Sequence, residues 1–146
     1  MLDLKIKKLN SNATTPTYGS VFAAGADLYS CEEEITLMPG ETRLIHTGLV
    51  MEIPEGYVGL IYARSGIATK RGLAPANKVG VIDSDYRGEI MVALHNHSDS
   101  AAKIDAKERI AQIVITPYLA VNYIEAEELN ETERMFVEYV RARFKN

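Results

Sequence analysis

The chain predicts an all-β fold, a jelly-roll-like β-sandwich or barrel with a short C-terminal arm, on three observations. Val, Ile and Thr outnumber Leu 32 to 12, a bias toward side chains that suit a pleated sheet. Short apolar runs recur between Gly, Pro, Asn and Asp turn signals, the spacing of a sandwich, barrel or jelly roll. Several runs alternate with period two and carry apolar residues on both faces, so they want cover from a second sheet or another subunit.

The strand-like runs occupy residues 2–9, 24–30, 33–40, 42–56, 57–66, 78–88, 89–96 and 108–118. Each is bounded by turn formers. In 89–94 and 110–115 neighbouring side chains point to opposite faces, and Gln112 shares a face with Ile110 and Val114. Residues 78–88 run into a turn and out again into 89–94, the pattern of a hairpin.

At 146 residues the chain has length for one ordinary domain and not for two separate cores. Its 16 basic and 20 acidic residues give a net charge of −4. That balance argues against a broad basic face for nucleic acid, and any anion bound is a small one. No apolar run is long enough to span a bilayer and the first ten residues lack a signal-like stretch. The expectation is a soluble, intracellular protein, cytoplasmic or, in a eukaryote, nuclear, without a membrane partner. Cys31, the lone cysteine, forms no intrachain disulfide, and burial must hold the fold.

The composition breaks near residue 124, which divides a β domain at 1–124 from an arm at 125–146. Glu125, Glu127, Glu128, Glu131 and Glu133 make the arm acidic, and Arg134, Arg141, Arg143 and Lys145 then reverse the sign. Phe136, Tyr139, Val140 and Phe144 fall at i, i+3, i+4 and i+8, so a helix there carries one apolar stripe. Such an arm docks on its own core or is exchanged with a neighbouring subunit.

Arg64, Ser65 and Gly66 close the strand-like run 57–63 and place a guanidinium, a hydroxyl and a flexible backbone at one strand end. Gly66 can take positive φ and let backbone N–H groups reach an anion, which makes this a phosphate grip or, equally, a solvated turn. In the run 77–88 the edge of Gly80, Val81 and Ile82 can pair with a nucleobase as it pairs with a strand. Asp83 is placed as a general base for water, and Tyr86 offers a flat face for a sugar ring. Turn chemistry explains Asp85 and Gly88 as well. Asp27 follows Gly25 between strand-like segments, where a carboxylate either caps a turn or approaches a hydrated Mg²⁺. The Gln112 amide lies in an apolar strand and wants a partner, from a ligand phosphate or a neighbouring chain. His95 and His97 share a strand face without a third ligand nearby, and are read as structural.

Four segments in this order, AGADLYS, ARSGIA, NKVGVIDSDYRGEIM and ERIAQIVI, resemble motifs of the trimeric dUTPase family. The resemblance covers most of the chain. It implies a jelly-roll subunit, a homotrimer with active sites at subunit interfaces, and Mg²⁺-dependent hydrolysis of dUTP to dUMP and pyrophosphate, which limits uracil in DNA and supplies dUMP for thymidylate synthesis. It gives Asp83 the attacking water, which strikes the α-phosphorus. It gives Arg64, Ser65 and Gly66 the phosphate chain, with Gln112 assisting. Asn77, Gly80, Val81, Ile82 and Met91 line the base and sugar pocket, Tyr86 packs on the deoxyribose, and Asp27 acts on the metal through its waters.

The chain departs from the family at its end. The usual fifth motif is a glycine-rich arm with an Arg and a stacking residue; here only Arg134 matches, and residues 135–146 contain no glycine. A backbone without glycine cannot wrap a triphosphate in the same way. The expectation is a core that folds, trimerises and binds nucleotide with weak turnover. The competing expectations are a nucleotide-binding or regulatory protein of the same fold and a dCTP deaminase.

Overall fold

Alternating runs become layers where the chain pairs with itself. The computed structural model describes residues 1–132 and Arg143. Its strands are β1 (Lys5–Lys8), β2 (Thr17–Tyr18), β3 (Ala26–Tyr29), β4 (Ile35–Leu37), β5 (Thr42–His46), β6 (Leu49–Glu52), β7 (Tyr57–Tyr62), β8 (Leu73–Pro75), β9 (Gly80–Ile82), β10 (Met91–Asn96), β11 (Ala102–Ile104) and β12 (Arg109–Pro117). One sheet runs β2-β3-β12-β7-β9 and another β5-β10-β8, with two ribbons, β1-β6 and β11-β4. The pairings are antiparallel, and the sheets enclose one core as a jelly-roll-like β-sandwich.

The core is where the two larger sheets face each other. Leu28, Ile61 and Ile113 of the first and Ile45, Val92 and Leu94 of the second belong to one buried apolar cluster. Each such side chain stabilises the fold by about 1.5–3 kcal/mol when taken out of water. On β10 the period of two is kept, since Val92, Leu94 and Asn96 are buried while Met91, Ala93 and His95 are half-buried. On β12 it is not. The register shifts between Arg109 and Ala111, so Ile110 and Ala111 are both buried and Gln112 turns away from the core. The bulge separates Gln112 from the face that simple alternation shares with Ile110.

Asn96 is the buried polar side chain that joins the second sheet to its surroundings. Its amide donates to the carbonyls of Leu37 (3.0 Å) and Ser100 (2.8 Å), and its Oδ1 accepts from the Ser98 N–H (3.0 Å) and hydroxyl (2.8 Å). All four hydrogen-bonding positions of the amide are thereby used. At the ribbon edge Lys103 stands between Glu34 (3.2 Å) and Asp105 (3.5 Å). The hydrogen bond to Glu34, with the nearby charges, raises the ammonium pKa above the ordinary lysine range. Its contribution is full at neutral pH and is lost only as pH climbs through that raised value.

Two local expectations change. Residues 80–82 and 91–96 do not form a hairpin, because β9 pairs with β7 and β10 pairs with β5 and β8; the connection crosses between sheets. The Arg64-Ser65-Gly66 segment is not a loop but the start of a helix, α1 (Ser65–Lys70). Gly66 lies within it and is not among the positive-φ glycines, Gly40, Gly48, Gly56 and Gly72. Gly72, at φ +67°, follows the helix by two residues and lets the chain turn into β8. No helix of the described residues is long and apolar enough to cross a membrane. Arg134 and the stripe of Phe136, Tyr139, Val140 and Phe144 lie outside the described residues.

Asn96→Leu leaves two carbonyls and the Ser98 N–H without their partner. It should lower unfolding free energy by about 2–4 kcal/mol, read as a fall in the urea midpoint at unchanged slope.

Candidate functional site

Three of the four motif segments meet on adjacent strands. Gln112 of β12 stands opposite Asp27 of β3 on one side and Tyr62 of β7 on the other. Arg64 follows β7 in extended conformation (φ −92°, ψ 129°) and directly precedes α1. Its Nε donates to Asp27 Oδ1 at 2.8 Å, and Arg109 Nη1 lies 3.8 Å from Asp27 Oδ2. The side chains of Arg64 and Asp27 are only 24% and 12% exposed, so each holds the other's charge in a partly dry corner. Fixed through Nε, the Arg64 guanidinium keeps its terminal nitrogens for another acceptor.

The amide of Gln112 finds a partner in its own chain, donating from Nε2 to the Ala63 carbonyl (2.9 Å). Its Oε1 lies over Gly25, 2.2 Å from where a Cβ there would stand, so a larger residue at 25 would push the Gln112 amide aside. Ser65 and Gly66 are exposed, and a Cβ at Gly66 would stand in open space. Asp27, Arg64, Ser65, Gly66 and Gln112 thus form one corner, joined by Arg109, which the sequence reading passed over. A cation immediately before an apolar run was the available signal.

The third segment builds a different feature. β9 is the edge of its sheet, and because β10 belongs to the other sheet, a slot of about 110 Å³ opens between them. It is lined by Asn77, Gly80, Val81, Ile82 and Met91, with Ile61 behind. Backbone N–H and C=O groups on the free edge of an edge strand are what a flat hydrogen-bonding ring can pair with. Lys78 has φ +68° and the Val79 N–H donates to the Asn77 carbonyl (2.7 Å), a γ-turn of the uncommon positive-φ kind. That turn carries Asn77 back over Gly80, with its Nδ2 3.5 Å from a Cβ built there.

Beyond the slot, residues 83–86 close a turn in which the Tyr86 N–H donates to the Asp83 carbonyl (3.1 Å). The Tyr86 hydroxyl donates to the Glu89 carbonyl (2.8 Å), and its ring lies against Gly88, where a Cβ would come within 2.6 Å of Cζ. Asp83 is exposed and borders a groove of about 920 Å³ with Glu52, Glu55, Asp85, Arg87 and Tyr118.

The two features do not meet within one chain. Ile82 stands opposite Gly59, so Asp83 is level with Val58, whereas Gln112 is level with Tyr62. Four residues of β7 separate them, about 14 Å at the antiparallel rise, and Arg64 lies two residues further on. The slot, level with Ile61 and Gly80, falls between. Among the described residues no cluster of three or more His, Cys, Asp or Glu is placed to hold a metal ion.

A family model described as dUTPase matches residues 11–137. The chain is 53% identical over 133 residues to the deoxyuridine 5'-triphosphate nucleotidohydrolase of Nautilia profundicola, covering 91% of this chain and 93% of that one. It is 45% identical to the enzyme of that name from Hydrogenobaculum sp., covering 91% and 92%. Among solved structures, the Staphylococcus bacteriophage 80alpha dUTPase with dUPNHPP superposes at a TM-score of 0.84 with 29% identity, covering 94% of this chain and 98% of that one.

Arg64→Met leaves the Asp27 carboxylate with Arg109 alone. We expect a loss of about 1–3 kcal/mol in unfolding free energy, measured by denaturant titration beside the parent chain.

Proposed function

The chain belongs to the dUTPase family, and from that premise we propose how its residues hydrolyse dUTP to dUMP and pyrophosphate. Its single most informative feature is the separation of Asp83 from the Arg64 corner across β7. The reading it supports is a site composed from more than one copy, in a homotrimer, with Asp83 and the slot from one chain and the corner of Asp27, Arg64, Ser65, Gly66 and Gln112 from another. The arm at 125–146 docks on a neighbouring copy, with exposed Leu129 and, just before the arm, exposed Leu119, Tyr123 and Ile124 supplying the apolar contacts.

Uracil enters the slot and pairs with the β9 edge, with Asn77 and Met91 at its sides. A base presenting the wrong donors leaves that backbone unpaired, a larger penalty than any lost apolar contact. Tyr86, held by its hydroxyl on Glu89 and backed by Gly88, lies flat where the deoxyribose sits and leaves no room for a 2′-hydroxyl. Asp83 takes a proton from a water molecule as that water attacks the α-phosphorus. The bond from the α-phosphorus to its bridging oxygen breaks, and pyrophosphate leaves. The terminal nitrogens of Arg64, the Ser65 hydroxyl and the backbone at Gly66 hold the departing phosphates, with Arg134 of the arm as a further cation.

The family uses a divalent metal, and Mg²⁺ is the one we propose. Asp27 fits it only at a distance, since both carboxylate oxygens face guanidinium groups. A hydrated ion that arrives on the triphosphate needs no more than that. Bound there, Mg²⁺ supplies charge neutralisation on the phosphate oxygens. The shared name of the relatives supports the diphosphatase over the deaminase and binding-only alternatives.

The test is incubation with Mg²⁺ and each of dUTP, UTP, dCTP and dTTP, following pyrophosphate and ammonia together. Pyrophosphate from dUTP alone is expected. Ammonia from dCTP, or no product from a folded oligomer, overturns the proposal.

A further inference from the structure

Helix α1 carries the phosphate grip at one end, yet it is fastened to the fold at few points. Its six residues span about 9 Å, and of them only Ile67 is buried. A helix with one core anchor can pivot about it. The second anchor is Arg71, directly after the helix, whose N–H donates to the Ile67 carbonyl (3.1 Å). Its guanidinium Nη1 donates to the Lys103 carbonyl at 2.6 Å and its Nη2 pairs with Glu108 Oε1.

Glu108 is engaged on every side. Its Oε2 accepts from the Asp105 N–H (2.8 Å), its N–H donates to the Asp105 carbonyl (3.2 Å), and its own carbonyl accepts from the Ser30 N–H (2.9 Å). These bonds close a turn in which Lys107 is held at φ +58°. The turn delivers Arg109, which stands 3.8 Å from Asp27, and then Gln112 on β12. Arg71 therefore fastens the far end of the Arg64 helix to the residue that introduces the other half of the corner. Both side chains of the pair are mostly buried, 32% and 22% exposed.

We infer that Arg71 is a positioning residue for triphosphate, acting through Glu108 to fix α1, and hence Arg64, Ser65 and Gly66, against Arg109 and Gln112. The inference rests on the reading above that this corner holds the phosphates. Arg71 touches no part of the slot, so phosphate affinity should depend on it and base affinity should not. A planar guanidinium is required, because it bridges a carbonyl and a carboxylate at once.

The experiment compares binding of the non-hydrolysable analogue dUpNHpp and of deoxyuridine, which has no phosphate, to the full-length oligomer and its variants. Arg71→Met should weaken dUpNHpp about tenfold, as loss of a positioning contact does, and leave deoxyuridine unchanged. Glu108→Gln keeps an acceptor for the Asp105 N–H while removing the charge opposite Arg71, and should show the same pattern at smaller amplitude. Equal weakening of both ligands in Glu108→Gln, or undiminished dUpNHpp affinity in Arg71→Met, overturns the inference. Arg64→Ala separates the two levels. If it weakens dUpNHpp and Arg71→Met does not, only the role of Arg71 fails; if neither does, the phosphate corner itself fails.

Discussion

Antiparallel pairing of β7 with β12 on one side and β9 on the other sets where every functional group can stand. The β7–β12 register places Gln112 beside Tyr62, and the β3–β12 register places Asp27 beside Gln112, at the end of the sheet where Arg64 emerges. The β7–β9 register places Asp83 level with Val58, toward the opposite end. Strand registers with one buried face are among the most strongly specified features of a fold, since a slip by one residue turns the whole apolar set outward. Here Ile61 and Ile113 lie in the core on those strands, so burial that stabilises the sheet also keeps the two halves of the site apart. On the proposed reading, catalysis is a matter of assembly, with a neighbouring copy supplying the corner that is distant within a chain.

The site combines stiff and open parts. The corner is stiffened by Arg64 on Asp27, Gln112 on Ala63, and Arg71 on Glu108, the fixed positive charge that the proposed triphosphate role calls for. The slot is open because two strands that turn chemistry would pair are drawn into different sheets. An edge strand left free in this way is usually an aggregation hazard. Its brevity, three residues, and the γ-turn at Lys78 limit that hazard while leaving backbone groups free for the proposed pairing with a base.

Much of this was legible in the sequence. The excess of β-branched residues and the recurrence of turn formers predicted the fold class, and four ordered segments named the family. From sequence the Gln112 amide is left to a ligand phosphate or a neighbouring chain, whereas it donates to Ala63 of its own chain, because nothing local tells which carbonyl a neighbouring strand will offer. It made a hairpin of β9 and β10, since a turn rich in Asp, Ser and Gly reports that the chain reverses and not which sheet receives it. Helix α1 escaped because Gly66 lowers helix propensity and a single buried anchor, Ile67, leaves no periodic stripe. The bulge at Ile110 escaped for the converse reason, as period two looks intact across it. Arg71 and Glu108 lie 37 positions apart in sequence and carry no pattern that links them.

The central claim, that one chain cannot complete the site alone, is tested most directly by mixing two inactive variants. Asp83→Asn and Arg64→Ala chains, each purified and shown to be inactive, are unfolded together in equal amounts and refolded as a mixed population. If Asp83 and Arg64 come from different copies, random assembly restores about a quarter of the native sites and a matching fraction of dUTP turnover. If both residues serve from the same chain, no assembly contains an intact site. A mixture as inactive as its components, despite verified exchange of subunits, would contradict the account.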